Sequence, residues 1–291
     1  MQIINTKQLP SKHRIILAGD QHIGTKTCDL DVINGYIKRI QSGRNNYGML
    51  LGDLADAIES RDKRFSLDEH AAMPPVKQYA TARKMHEPIA DKILAAISGN
   101  HDYKLSEHGT GDFVQQFCED LGHPEIYGDY ACAATVNVED GLSYSVYLWH
   151  GAGSPPRAGF DNVKRDAVVA SSVKKKLQQQ FTSAHVMAMG HIHKLAAFRP
   201  QIDTAIYVNN NDFEVDMGES NFPMDVASYQ RQKYINPDDR WYAVTGTAKR
   251  SRMKGIITYE ERMGFGSSDL GWVELVYDNG KLWLEKKFYY V

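Results

Sequence analysis

A chain of 291 residues is long enough for one large domain or two modest ones and for a well-buried core. With 42% hydrophobic and 24% charged residues, and no apolar run of about 18 residues, it reads as a soluble globular protein without a spanning helix. A formal net charge of −2 supplies no global field for nucleic acid, so any polyanion must be drawn by a local patch or by bound cations. Cys28, Cys118 and Cys132 are scattered, with no CxxC pair. They read as reduced thiols of a cytosolic protein, neither a disulfide framework nor a zinc knuckle. The first residues lack the basic-then-apolar layout of a secretory signal.

In chain order, residues 14–18 predict a first strand running into Gly19-Asp20-Gln21-His22. A helix follows, with Leu30, Ile33, Ile37 and Ile40 on one face and Gly43 as its stop. Residues 48–51 form a second strand ending in Gly52-Asp53-Leu54-Ala55-Asp56. Residues 59–73 are polar and charged and read as an exposed loop, after which Pro74-Pro75 opens a helix. Residues 93–97 are an apolar strand leading into Ser98-Gly99-Asn100-His101-Asp102, where the glycine is expected to allow a sharp turn. A helix then places Phe113, Val114, Phe117, Cys118 and Leu121 at core spacing.

From about residue 131 the texture turns to β, with strands at 131–138 and 143–149 joined by Glu139-Asp140-Gly141. The second strand ends in His150-Gly151, residues 162–180 read as a helix, and strand 185–189 delivers Gly190-His191-Ile192-His193. A strand near 205–208, a polar segment over 209–239 with few core signals, and a strand at 242–247 come next. Residues 272–277 and 282–290 flank Asn279-Gly280, a hairpin signature. Early alternation of strands and helices and later dominance of strands predict two facing sheets with helices outside. The chain is read as one domain over 1–291 with 209–239 as an insertion.

Five apolar strands each end in metal-ligating side chains: Asp20/His22, Asp53/Asp56, Asn100/His101, His150 and His191/His193. In open α/β sheets ligands bind beyond the carboxyl ends of strands, so distant clusters can meet in one site. Residues two apart in an extended segment point the same way, which lets Asp20 with His22, and His191 with His193, face one cavity. Carboxylate, imidazole and amide donors without thiolate suit Mn²⁺, Fe or Zn²⁺, and Mg²⁺ less well. The candidate ligands are too many for one tetrahedral centre. They match two divalent ions sharing a carboxylate, roughly 3.5–4 Å apart, which would bind phosphate oxygens and lower the pKa of a bridging water so that hydroxide attacks phosphorus. The leaving oxygen then needs a general acid, and a histidine beside the ions but not bound to them fits that need.

The ordered set Asp20-x-His22, Gly52-Asp53-x-x-Asp56, Gly99-Asn100-His101-Asp102, His150-Gly151 and Gly190-His191-x-His193 resembles the calcineurin-like metallophosphoesterases over about residues 14–195. The resemblance implies a four-layer α/β/β/α sandwich of two mixed sheets with a dinuclear site. It implies that Asp20, His22 and His193 hold one metal, that Asn100, His150 and His191 hold the other, and that Asp53 bridges them. It makes His101 the acid, oriented by Asp56. The Ser/Thr phosphatase subgroup is disfavoured, because Ala57-Ile58 follows Asp56 and Asp102 follows His101 where that subgroup has Arg-Gly and glutamate. Asp20-x-His22-Ile23-Gly24, Asn100-His101-Asp102 and the late 242–247 strand look more like the SbcD-type exonuclease branch. The tail with Tyr259-Glu260-Glu261-Arg262-Met263-Gly264 also resembles small stand-alone phosphoesterases carried by phages.

The leading expectation is therefore a phosphodiester-hydrolysing enzyme with two divalent ions, Mn²⁺ first, acting on DNA. Lys249, Arg250 and Arg252 would touch phosphates, and Tyr242, with Trp241 beside it, would stack on a base. Lys174-Lys175-Lys176 is the second basic run. The alternatives are an esterase of nucleotides or other small phosphoesters, and a non-catalytic scaffold of the same fold. A homo-oligomer is compatible with the sequence and no membrane partner is expected. Asp102 either caps its own turn or serves the site. His13, His70, His86, His108, His123 and His185 read as surface or packing residues.

Overall fold

Alternation along the first long strand sets the layering. Ile15 and Leu17 belong to one core, Ile16 and Ala18 to another, and all four are buried, so this strand must be covered on both faces. A computed structural model describes residues 1–70, 73–107, 111–154, 162–200, 205–209, 212–216 and 223–289. Its strands are β1 (Gln2–Asn5), β2 (Lys12–Ala18), β3 (Asn46–Leu51), β4 (Ile93–Ile97), β5 (Ala131–Asn137), β6 (Ser143–Trp149), β7 (Val186–Met189), β8 (Leu195–Phe198), β9 (Ala205–Asn209), β10 (Asp212–Asp216), β11 (Met224–Asp225), β12 (Trp241–Thr245), β13 (Gly271–Asp278) and β14 (Lys281–Phe288). Its helices are α1 (Leu30–Gln41), α2 (Leu67–His70), α3 (Pro75–His86), α4 (Asn100–Glu107), α5 (Phe113–Asp120), α6 (Asn162–Gln180) and α7 (Tyr259–Arg262).

Two six-stranded mixed sheets run in the orders β11-β14-β13-β2-β3-β4 and β1-β5-β6-β7-β12-β8, while β9 and β10 make a separate hairpin. Between the sheets lies one core, in which Ile15, Leu17, Met49 and Leu51 meet Val146, Leu148, Val186 and Ala188. On the outer face of the first sheet, Ile33, Ile37 and Ile40 of α1 and Phe113, Val114 and Phe117 of α5 cover Ile16, Ala18 and Leu50. On the outer face of the second, Val169, Val173 and Leu177 of α6 cover Tyr147, Met187, Tyr242 and Val244. The result is the four-layer α/β/β/α sandwich. Strands β2, β3 and β4 are parallel to one another, as are β6, β7 and β12. The carboxyl ends of the two sets meet where the His150 ring contacts the Leu51 carbonyl at 2.7 Å.

Several local expectations need correction. Leu30 is 46% exposed, and Val32 and Tyr36 take the buried positions on α1 in its place. Residues 59–73 are no simple exposed loop: they contain α2, whose Glu69 and His70 are buried. The 209–239 segment supplies Met224, Val226, Tyr229 and Ile235 to the inter-sheet core. The first three sit on a two-residue strand and a 3₁₀ turn and Ile235 lies in irregular chain, so no regular period betrays them. Residues 210–211 and 217–222 of that segment, His108, and residue 290 of the final predicted strand lie outside the described residues. His13, His86 and His185 are buried packing residues, whereas His123 sits on the surface. No helix among the described residues is long and apolar enough to cross a membrane.

Candidate metal centre

The residues after β2, β3, β4, β6 and β7 converge. One ligand atom from each of Asp20, His22 and His193 lies within 4.8 Å of the others, and the same holds for Asp53, His150 and His191. Asp53 Oδ2 joins the two groups, 3.8 Å from His22 Nε2 and 3.3 Å from His150 Nε2. Asn100 Oδ1 lies 2.8 Å from His191 Nδ1 and 3.2 Å from His150 Nε2. His101 forms a third group with His22 and Asp53.

The backbone achieves this differently from the extended pairs expected. Asp20, His22 and Asp53 have φ of 50°, His193 51° and His191 70°. Five non-glycine residues in the left-handed region cost roughly 1–2 kcal/mol each. The conformations are held by continued pairing beyond the sheet: Asp20 N–H donates to the Gly52 carbonyl at 2.9 Å, His22 N–H to Asp53 at 2.9 Å and Ile23 N–H to Leu54 at 3.0 Å. Gly99 serves through its missing side chain, since a Cβ there would lie 2.0 Å from Asp53 Oδ1 and 2.3 Å from Asp53 N. Its φ is ordinary, so close approach of two loops, not a special turn, requires glycine.

The carboxylates follow one pattern. Asp53 Oδ1 accepts the His101 backbone N–H at 2.8 Å and Asp20 Oδ2 accepts the His191 backbone N–H at 2.7 Å, which leaves Asp53 Oδ2 and Asp20 Oδ1 toward the imidazoles. Asp20 Oδ1 is buried with no hydrogen-bond partner, 3.6 Å from His193 Nε2. An orphaned carboxylate oxygen among imidazole nitrogens fits a cation. The imidazoles are fixed from behind: His22 Nδ1 bonds Asp56 Oδ1 at 3.2 Å and His150 Nδ1 bonds the Leu51 carbonyl. Both Nε2 atoms therefore face inward, as metal-bound histidines commonly do. His22 Nε2 lies 3.1 Å from His193 Nε2, so the two rings share a proton or a cation. The donor set, all nitrogen and oxygen, fits divalent metal.

Charge is balanced the same way. Burial would raise Asp20 and Asp53, but the surrounding imidazoles outweigh it, His193 and His150 for Asp20 and His150 and His101 for Asp53, and both stay below their ordinary value. Burial disfavours charge on His150, yet Asp53, Asp20 and the Leu51 carbonyl lift it to about 10. His101 goes the other way: burial pushes it down to about 4, with Asp53 opposing and His22 assisting. Asp102 is fully buried and pushed up to about 7, by burial first and the Asp53 charge second. It accepts from Leu54, Ala55 and Gly99 N–H groups at 3.3, 3.2 and 3.0 Å, so it ties the Asp53 loop to the Asn100 loop as well as its own turn.

Other site residues depart from expectation. The Asp56 carboxylate serves His22, and its Oδ1 is 3.8 Å from His101 Nδ1. The Asp56 backbone carbonyl contacts His101 Nδ1 at 2.5 Å and holds that ring. Tyr242 is fully buried, with its hydroxyl on the Pro237 carbonyl and Gln178, and Trp241 is 2% exposed. Neither offers a ring face for base stacking. Lys249 is buried, 3.1 Å from Glu69 and 2.8 Å from Glu260, and Arg250 pairs with Asp29. Of the three basic residues expected to touch phosphates, Arg252 is the exposed one.

A cavity of about 780 Å³ opens on the ligand cluster, walled by Ile58, Arg64, Val169, Ile192, Tyr259 and Phe265. Two of its features were hidden in the supposed loop. Arg64 Nη1 is 3.0 Å from His101 Nε2, and His70 Nε2 is 3.6 Å from Asp56 Oδ2. The only sequence signal for either was its position directly after the Asp53/Asp56 cluster.

No family model matches the chain, and no curated protein does. Among solved structures, the chain is similar to the phosphoesterase YfcE from E. coli, with 14% identity over 92% of this chain and 90% of that chain and a TM-score of 0.40. It is similar to a metallophosphoesterase from Sphaerobacter thermophilus, with 13% identity, coverage of 95% and 89%, and a TM-score of 0.38. A third is the Pseudomonas putida nuclease MPE, with 14% identity, coverage of 93% and 87%, and a TM-score of 0.32. With likenesses this distant, function has to be read from the residues of the site.

Proposed function

We propose that the protein is a dinuclear metal-dependent phosphoesterase of the calcineurin-like type that hydrolyses phosphodiester bonds. The observation that carries this reading is Asp53, whose single open oxygen faces both three-residue ligand groups. Asp20, His22 and His193 would hold one divalent ion and Asn100, His150 and His191 the other, with Asp53 between them and Mn²⁺ the first candidate. Such ions supply Lewis acidity toward the phosphate oxygens and the attacking water.

The chain's own residues supply the rest. His101 is oriented through Nδ1 by the Asp56 carbonyl, which leaves Nε2 toward the cavity as an acceptor; beside an anionic phosphate that nitrogen would take a proton from solvent and pass it to the departing alkoxide as the P–O bond breaks. The cavity walls exclude water from one side and admit one organic group of nucleotide size. The substrate reading favoured here is a phosphodiester with a nucleoside-sized group in that cavity, in a small nucleotide or at the end of a DNA strand. The DNA reading keeps one observation in its favour: exposed Arg252 follows Ser251, which lines the cavity. Burial of Tyr242, Trp241 and Lys249 removes the support for contact along a duplex.

The test is a parallel Mn²⁺ assay on bis-p-nitrophenyl phosphate, p-nitrophenyl phosphate, cyclic nucleotides, linear DNA and circular single-stranded DNA. Turnover of the diester together with cyclic nucleotides or linear ends supports the proposal. Turnover of circular DNA with no preference for ends would point to an internal nuclease, and absence of metal-dependent turnover on every substrate would remove the enzyme reading.

A further inference from the structure

Arg64 stands on the cavity wall with its fork held and its tip directed at the reacting centre. Asp62 Oδ1 accepts from Arg64 Nε at 3.1 Å and from Arg64 N–H at 2.9 Å, and Asp62 Oδ2 accepts from Nη2 at 2.8 Å. The remaining terminal nitrogen, Nη1, is 3.0 Å from His101 Nε2. Asp62 is also bonded by Lys104, so two cations share one carboxylate and a positive charge is left over on the cavity side. Arg64 and Asp62 are largely covered, with side-chain exposures of 16% and 11%, so this charge is poorly screened. Nη1 can only donate, so His101 Nε2 is its acceptor here, a weaker one than a phosphate oxygen would offer.

We propose that Arg64, aimed by Asp62, is a phosphate clamp: a phosphate reaching the cluster formed by His22, Asp53 and His101 takes Nη1 from His101 and thereby frees Nε2 to face the leaving oxygen. The inference rests on the phosphoesterase reading for its substrate but not for its measurement. Arg64 binds a phosphate oxygen, and Asp62 acts through Arg64 as a positioning residue. Neither belongs to a strand-end cluster, so position after the Asp53/Asp56 cluster was the one pointer to them.

The experiment uses the full chain loaded with Mn²⁺, with inorganic phosphate as the binding probe and bis-p-nitrophenyl phosphate as substrate. Arg64→Ala is expected to weaken phosphate binding, read by calorimetry, by about ten- to a hundredfold, and to raise KM by a similar factor. Added guanidinium ion should restore part of the loss, and Arg64→Lys should fall between because it keeps the charge but not the fork. Asp62→Asn should lose less than Arg64→Ala. Phosphate affinity and KM within twofold of the parent, or an Arg64→Ala loss that guanidinium does not relieve, would overturn the clamp. So would Asp62→Asn losing more than Arg64→Ala, since the loop's fold would then be the cause. A parent protein that binds phosphate yet turns over no ester defeats the enzyme reading and leaves the clamp measurable.

Discussion

The backbone N–H of His101 donates to Asp53 Oδ1 at 2.8 Å. This bond joins the residue read as acid to the residue read as bridge, across 48 positions of sequence, and it uses one carboxylate oxygen to aim the other. Asp20 and His191 repeat the arrangement at 2.7 Å from the opposite sheet. The first depends on the close approach of the loops after β3 and β4, which Gly99 permits; the second joins the ends of the two sheets.

Gly99→Ala should therefore act far beyond its size. The new methyl group would overlap Asp53 Oδ1 and the Asp53 backbone nitrogen, and the backbone atom can give way only if the loop moves. We expect a stability loss of about 1–3 kcal/mol together with loss of metal binding, checked by thermal melts and metal content after dialysis. A variant that melts lower but keeps its metals would show that the loops relax without moving Asp53.

His101→Asn should leave metal content unchanged and depress turnover by about 10²–10⁴, most for diesters with poor leaving groups. Leaving-group dependence across substituted phenyl phosphodiesters measures this. Metal loss instead would make His101 a ligand, as its group with His22 and Asp53 allows.

Asp56→Asn separates two roles of one residue. Its carboxylate holds His22 Nδ1 and its carbonyl holds His101 Nδ1. The variant keeps the carbonyl, so we expect metal affinity to fall by about 10–100-fold while leaving-group dependence stays that of the parent. A His101-like phenotype would mean that the carboxylate orients the acid.

Acid sensitivity should follow the buried neutral histidines. Burial pushes His86 from 6.5 down to about 4, against the Ala82 carbonyl that raises it, and its ring bonds Tyr36 Oη and Ala82. The unfolded chain binds this proton from about pH 6.5 downward while the folded chain refuses it until about pH 4. Stability therefore falls as pH drops through that window, by up to about 3 kcal/mol for this group. Melts of the parent and His86→Gln between pH 7 and 4.5 should show a shallower decline in the variant. Parallel declines would assign the acid loss elsewhere.

How much of this was legible beforehand follows from where the signals sit. Strands β2, β3, β4, β6 and β7 announce themselves as apolar runs, and each delivers its ligands in the next few residues, so the strand-end clusters could be read. What could not be read was direction. Left-handed φ at Asp20, His22, Asp53, His191 and His193 is marked only weakly by residue type, since Asp and His are enriched there but adopt it in a small minority of cases. Arg64, Asp62 and His70 were hidden because a polar stretch folded over a site looks like any solvated loop. Lys249 and Tyr242 misled for the opposite reason: a basic run and an aromatic look exposed until Glu69, Glu260 and α6 cover them.

Whether two cations share Asp53 is decided by electron paramagnetic resonance of the protein with two equivalents of Mn²⁺. The parent should give an exchange-coupled multiline spectrum that gives way to an isolated six-line signal in Asp53→Asn. Isolated six-line signal from the parent itself would contradict it.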